Sequence, residues 1–358
     1  MPFHLSYTIL IYFQMYGKAG EIKKRPATSI MKIIQANRNR VIFSSKLFSM
    51  SKPVIRLVRS HLLKDFPSGS SINYYDGKLY LVGDDANNLL ILDNTYKQID
   101  MIRLFNYPDK RIPKAEKADL ESATIITLNN KPHLFIIGSA STEKRKKALL
   151  IPVQNEKAGY ANLFNPFFYQ EAFLKQLQVK GIPEMNIEGA TMMGDNLVLS
   201  NRGNNAKPIN HLVITPIKAI QAPAQQKDFS VSVIPLTLPV RSKAFTGVSE
   251  LCYVASKDIL LVTLSEEATD NAYDDGAISD SYLGWVNNVS KKMNHATLAL
   301  DEMINLSTVD KAFTQQKIEG LCVESVKDAA LDIHLVSDND NGESKLFHIK
   351  AEGLTLKA

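Results

Sequence analysis

The stretch "KIEGLCV" (317–323) sets a carboxylate and a glycine immediately ahead of β-prone apolar residues. Four counterparts precede it: "GVSELCY" (247–253), "NIEGATM" (186–192), "DLESATI" (119–125) and "SGSSINY" (68–74). Aligned, their third positions read Ser70, Glu121, Glu188, Ser249 and Glu319. The fourth positions are small in Ser71, Ser122, Gly189 and Gly320, with Glu250 the exception. Successive copies lie 51, 67, 61 and 70 residues apart, which defines a degenerate repeat with variable loops.

A second apolar run follows each copy: "KLYLVGDD" from 78, "HLFIIGSAS" from 133, "NLVLSNRG" from 196, "DILLVTLSEE" from 258 and "DIHLVSDND" from 332. A third follows as "NLLILD", "KALLIPV", "HLVITPI", "SYLGWVNNV" and "KLFHIKA". Short runs rich in Val, Ile and Leu and bounded by Asn, Asp, Gly and Ser read as strands. Fourth strands are legible as "QIDMIRLF" from 98 and "FSVSVIPL" from 229, and are poorly defined in the second and fourth units.

Four antiparallel strands per unit, repeated around a ring, describe an all-β fold, a five-bladed β-propeller. The fifth unit has no fourth strand after residue 351, so "VIRLVRSHL" (54–62) is expected to supply it and close the ring. A sixth blade within 154–182 or 268–310 is the competing count. The domain reading is a basic tail over 1–52 and the propeller over 53–358.

Residues 1–50 hold eight Lys or Arg and one Glu, so the formal net charge of +5 leaves −2 for the rest. The folded part therefore asks for no nucleic acid, and the tail reads as solvated or as a contact for an acidic surface. The apolar run "YTILIYF" (7–13) falls short of the about 20 residues that span a bilayer, and no Lys or Arg precedes it. Met31 and Met50 are alternative starts, with an Arg- and Ser-rich transit segment from Met31 a further reading. Cytoplasm is the default. Cys252 and Cys322 share one repeat position, which suggests buried thiols in neighbouring blades.

The first strand of each propeller blade is innermost, so Ser70, Glu121, Glu188, Ser249 and Glu319 are expected to converge on the axis. Three carboxylates in a narrow channel repel unless one takes a proton or a cation sits among them. Oxygen ligands from several strands suit Ca²⁺, and the absence of a His/Cys cluster argues against zinc or copper. The competing reading is a structural ring in which each Glu accepts hydrogen bonds from a neighbouring blade's backbone.

Loops between second and third strands open on the same face, giving a rim of Asp84, Asp85, Ser139, Ser141, Asn201, Arg202, Glu266, Glu267, Asp338, Asn339 and Asp340. A cation beneath such a rim suits a small phosphorylated molecule, with Asp84, Arg202, Glu266 and Asp338 as candidate catalytic residues. Arg202 would grip a phosphate oxygen while the metal polarises phosphoryl oxygen or water. The alternative is a non-catalytic scaffold that binds a protein partner. Elsewhere, "STEKRKKA" (141–148) reads as a solvated hairpin tip, 165–178 as an amphipathic helix packed on the side or serving as a lid, and 266–284 as a long acidic loop.

The Ser, Glu, Glu, Ser, Glu alternation resembles the soluble calcium-activated nucleotidases, the apyrase family of five-bladed propellers. "SSINYYDGKLYLVGDD" is similar to that family's serine strand, GKLY strand and acidic turn, "LSEE" (264–267) to its Ser-Glu-Glu turn, and "KIEGLCV" to its closing Tyr-Glu-Gly-Ile strand. The resemblance implies an axial Ca²⁺ on Ser70, Glu121, Glu188, Ser249 and Glu319, and an acidic catalytic residue at Asp84. The single Trp, Trp285, departs from the family's tryptophan-rich segments, and its longer substrate loops are not recognisable. "EGL" together with "VSDNDNGES" (336–344) is equally similar to bacterial esterase-like and phytase-like propellers.

Overall fold

Most inner strands carry apolar residues on both faces, because every blade is packed between two others. A computed structural model describes residues 52–153, 162–164, 169, 171–221, 231–239, 245–267, 278–339 and 342–354. The basic tail to residue 51, most of the 266–284 loop, the start of the 165–178 segment and Asp340 lie outside these residues.

Strand β1 (Val54–Leu63) precedes the first blade, formed by β2 (Gly69–Tyr75), β3 (Lys78–Gly83), β4 (Asn88–Asp93) and β5 (Gln98–Arg103). The β2–β3 turn is Asp76-Gly77 with φ of 47° and 77°, the left-handed pair a two-residue hairpin requires. Blade 2 is β6 (Leu120–Leu128), β7 (Lys131–Gly138), β8 (Ala148–Pro152) and β9 (Asn162–Phe164). Blade 3 is β10 (Ile187–Met193), β11 (Asn196–Asn201), β12 (Asn210–Pro216) and β13 (Ser232–Thr237). Blade 4 is β14 (Thr246–Val254), β15 (Ile259–Glu267), β16 (Ile278–Asn287) and, after the two-residue β17 (Leu298–Ala299), β18 (Glu302–Asn305). Blade 5 is β19 (Ile318–Lys327), β20 (Ala330–Asp338) and β21 (Ser344–Glu352), completed by β1.

The ring closes as expected: β1 pairs antiparallel with β21 from Val54↔Glu352 to Leu63↔Ser344. There is no sixth blade among the described residues. The segments that could have hidden one supply outer strands instead, β9 to blade 2 and β18 to blade 4, while β17 runs parallel to β13 on the edge of blade 3.

Five hydrophobic layers fill the five gaps between consecutive blades. On β3, Leu79 and Leu81 face blade 5 beside Val336 and Leu346, whereas Tyr80 and Val82 face blade 2 beside Leu134 and Ile136. Fully burying one such Leu contributes about 1.5–3 kcal/mol. The helix α1 (Glu171–Val179) packs on the side rather than acting as a lid: Phe173 and Leu177, one turn apart, enter the layer between blades 2 and 3. No helix among the described residues is long and apolar enough to cross a membrane.

Candidate functional site

The inner strands of all five blades carry a β-bulge at the same place. The ladder register slips between Gly69 and Ser71, Leu120 and Ser122, Ile187 and Gly189, Val248 and Glu250, and Ile318 and Gly320. The residues set off by these slips are Ser70, Glu121, Glu188, Ser249 and Glu319. A bulge re-aims one side chain at the cost of a local bend and a break in the ladder, and here it brings the third-position glutamates together.

The glutamates meet. One carboxylate oxygen from each of Glu121, Glu188 and Glu319 lies within 4.8 Å of the other two, and Glu121 forms a similar group with Asp84 and Asp119. The serines are differently engaged. Ser70 donates to the Leu120 carbonyl of the next blade, and the Ser249 hydroxyl lies 3.1 Å from that of Ser265.

Side-chain cations, rather than neighbouring backbone, partner most of these carboxylates. Lys317 Nζ is 2.9 Å from Glu319 and 3.4 Å from Glu267. Arg202 donates to Glu267 at 2.8 Å and to Ser265 at 3.2 Å, and lies 3.7 Å from Glu188. Lys117 bridges Asp84 and Asp119, and Arg145 reaches Asp119 at 2.8 Å. Glu188 also accepts from Asn186 at 2.7 Å. Among the described residues, six carboxylates (Asp84, Asp119, Glu121, Glu188, Glu267, Glu319) thus face four cations, an excess of two negative charges.

Burial, with the crowding of like charges, favours the protonated form of several of these carboxyls. Burial, reinforced by Asp119 and Glu188, pushes Glu121 well above the usual carboxylate range. Burial raises Glu188 to about 8 despite Arg202, and Asp84 to about 6 despite Lys117. Burial alone would lower Lys317, but Glu319 and Glu267 outweigh it and keep the ammonium charged. Asp84 Oδ1 is buried without a hydrogen-bond partner among the described residues.

The rim candidates separate. Asp84 stands beside Glu121. Arg202 lies beneath the rim, only 5% exposed, with its guanidinium committed to the carboxylates below. Glu266 turns to the Tyr282 hydroxyl at 2.6 Å, and it is Glu267 that joins the cluster, two residues along β15 from Ser265, which Arg202 also reaches. Asp338 is buried at the end of β20, and Asp85, through its hydrogen bond, holds the Arg111 guanidinium above its usual range with Asp338 adding to the pull.

Immediately below the bulges the channel is shut. A Cβ on Gly189 would lie 2.8 Å from Leu251 N, and one on Gly320 2.8 Å from Ile72 N, which explains the small fourth position. Glu250 takes that position in blade 4 and reaches across the axis: its carboxylate accepts from Ser71 of blade 1 at 2.6 Å and from Ala190 N of blade 3 at 3.0 Å. Beyond this plug, the lower halves of the inner strands line a second cavity of ≈350 Å³ that includes Tyr74, Met192, Tyr253 and Glu324.

Lys117, Asp119, Arg145 and Lys317 are not marked as site residues by the repeat's third position or the rim, yet two of them carry a signal. The first position of the aligned copies reads Ser68, Asp119, Asn186, Gly247 and Lys317, so that column borders the mouth as well. Gly247 shows why its member is bare, since a Cβ there would lie 2.2 Å from Arg202 Nε. Gly247→Ala should displace Arg202 and cost about 1–3 kcal/mol, the usual range for overpacking. An unchanged denaturant midpoint would show that Arg202 has room to move.

Fold and mouth together define a five-bladed β-propeller with an acidic axial site on the face where the inner strands begin. The chain belongs to the family of unknown function DUF6929, whose model matches residues 65–351. No curated protein matches the sequence. Among solved structures it is similar to the glutaminyl cyclase of Myxococcus xanthus, at 11% identity and a TM-score of 0.46, covering 84% of this chain and 97% of that one. It is also similar to the PQQ-bound aldose sugar dehydrogenase of Streptomyces coelicolor, at 10% identity and a TM-score of 0.43, covering 84% and 99%.

Proposed function

We propose that the axial mouth binds Ca²⁺ and that the bound ion serves the hydrolysis of phosphate esters or anhydrides. The observation carrying this reading is the convergence of Glu121, Glu188 and Glu319, aimed inward by equivalent bulges, in a site where carboxylates outnumber side-chain cations among the described residues. One divalent cation offsets that excess where two protons otherwise would. Carboxylate oxygens fit Ca²⁺, which fills its remaining positions with water. The resemblance of the repeat to the calcium-activated nucleotidases points the same way.

When bound, the ion would polarise a phosphoryl oxygen or water. Asp84, beside Glu121 and holding an unpartnered oxygen, is placed to take a proton from the attacking water. Arg202 and Lys317 hold Glu188, Glu267 and Glu319 in position. In this reading Arg202 positions those carboxylates, while contact with a phosphate oxygen is left to a guanidinium nitrogen they do not hold.

A second reading, a non-catalytic scaffold with a structural ring, draws on the four cations already present. Calcium separates the two. A ligand specific to the folded state adds about 2.7 kcal/mol at a hundredfold excess over its Kd, roughly 5 °C in Tm for a chain of this size. Glu188→Gln and Glu319→Gln should shrink that rise. The raised pKa of Glu188 sets its pH dependence: without metal, the protonated form contributes stability that is full below the ordinary 4.5 and fades as pH climbs through about 8. Calcium competes with that proton, so the calcium-induced rise should grow from pH 6 to pH 8. Coincident melting curves in calcium and chelator, for metal-stripped protein at pH 8, would leave the structural ring as the correct reading.

A further inference from the structure

The seam where the ring closes carries a cluster of a different chemistry. Cross-strand pairing places His334 of β20 beside His348 of β21, with ring centroids 4.8 Å apart. Glu324 joins them from β19 because that strand bulges a second time, between Val323 and Ser325. One ligand atom from each of Glu324, His334 and His348 lies within 4.8 Å of the other two.

What distinguishes the group from an ordinary polar contact is its outer layer. His334 Nδ1 lies 2.8 Å from the Tyr96 hydroxyl, Glu324 Oε1 accepts from Asn94 Nδ2 at 3.0 Å, and His348 Nε2 lies 3.3 Å from Asp332 Oδ1. Asp332 is itself fixed by a 2.8 Å hydrogen bond from Ser325. Each of the three residues is thus oriented through one atom, which leaves a second ligand atom on each: His334 Nε2, Glu324 Oε2 and His348 Nδ1. The first two already lie 2.8 Å apart. Imidazole ligands steadied by carboxylate or hydroxyl groups on their far nitrogens are the usual surroundings of protein-bound zinc.

We propose that Glu324, His334 and His348 bind a divalent transition metal of the zinc class, reached from the lower axial cavity that Glu324 lines. Two imidazoles and one carboxylate make a three-ligand set with a fourth position open to water. Imidazole nitrogen separates this site from the all-oxygen mouth, which suits calcium. Burial keeps His334 neutral, with a pKa lowered to about 4, as a metal ligand requires. With its proton on Nδ1 and donated to the Tyr96 oxygen, neutral His334 would ligate through Nε2 without releasing a proton. Because Tyr96 and Asn94 belong to blade 1 and the ligands to blade 5, the ion would tie the first blade to the last.

Cobalt(II) is the probe, added to metal-stripped full-length protein in excess calcium so that the axial mouth is filled. Wild type should take up one equivalent with the visible bands of a nitrogen-ligated, low-coordinate ion, and zinc should displace it. Asp332→Asn should weaken binding about 10- to 100-fold, the usual effect of losing an outer-layer partner, and His348→Gln or Glu324→Gln by more. Glu188→Gln, in the axial mouth, should leave the bands unchanged and so serves as the folded control. No bands in excess cobalt overturn the proposal. So do bands that survive in both His348→Gln and Glu324→Gln, or that disappear only in Glu188→Gln.

Discussion

A chain beginning at Lys64 should fail to fold, whereas one beginning at Lys52 keeps every described strand. Removing β1 deletes the outer strand of blade 5 and its nine residue pairs with β21. Ladder hydrogen bonds contribute about 1 kcal/mol each, and Ile55 and Leu57 also pack against the layer shared by blades 4 and 5. Their combined loss approaches the roughly 5–15 kcal/mol by which a whole domain is stable. Truncation would also leave β21 an unpaired edge, open to pairing with other chains. The expected observations are loss of the cooperative melting transition and aggregation. A soluble 64–358 fragment with a sharp transition would mean that four intact blades hold the fifth without its closing strand.

The repeat was legible because a propeller asks the same thing of each blade. One bulge and one small residue recur at fixed positions, and the five sites named from spacing are the five bulge residues. Other parts were hidden for definable reasons. β9 and β18 span three and four residues, too short to show an alternation. Glu266 and Glu267 are adjacent acids on one strand, and nothing in the sequence tells that the face of Ser265 and Glu267 is the one that meets Arg202. Glu250 looked like an exception to a small position, and nothing in spacing tells that its side chain crosses the axis to Ser71. His334 and His348 come together only through the β20–β21 register, so a search for clustered His in the linear sequence misses them. Lys317 lies two residues ahead of its bulge residue rather than on the rim, and only the fold shows that its ammonium meets Glu319.

Asp84→Asn should remove most of any phosphate-releasing activity while sparing the calcium-dependent rise in Tm. Asp84 is not one of the three converging glutamates, so the amide leaves them intact. It does remove the group proposed to accept a proton, a loss that typically costs about 10² to 10⁴ in rate. Burial is what suits Asp84 to the task. It raises the carboxyl to about 6, against the opposing pull of Lys117, so the group is ionised at neutral pH yet basic enough to capture a proton. A base must be unprotonated to act, so wild-type kcat/KM should climb with pH through about 6 and then level, and the residual rate of Asp84→Asn should lack that limb. Arg202→Ala is a poorer test. Its guanidinium is buried against Glu267 and Glu188, and stranding such charges costs about 3–5 kcal/mol regardless of chemistry. The measurement is phosphate release from nucleoside triphosphates and inositol phosphates, in calcium and in chelator, across pH 5 to 9. Full activity in Asp84→Asn would move the base elsewhere on the rim. No turnover of any substrate above the chelated background, in a protein whose Tm does respond to calcium, would make the mouth a binding site and the propeller a scaffold.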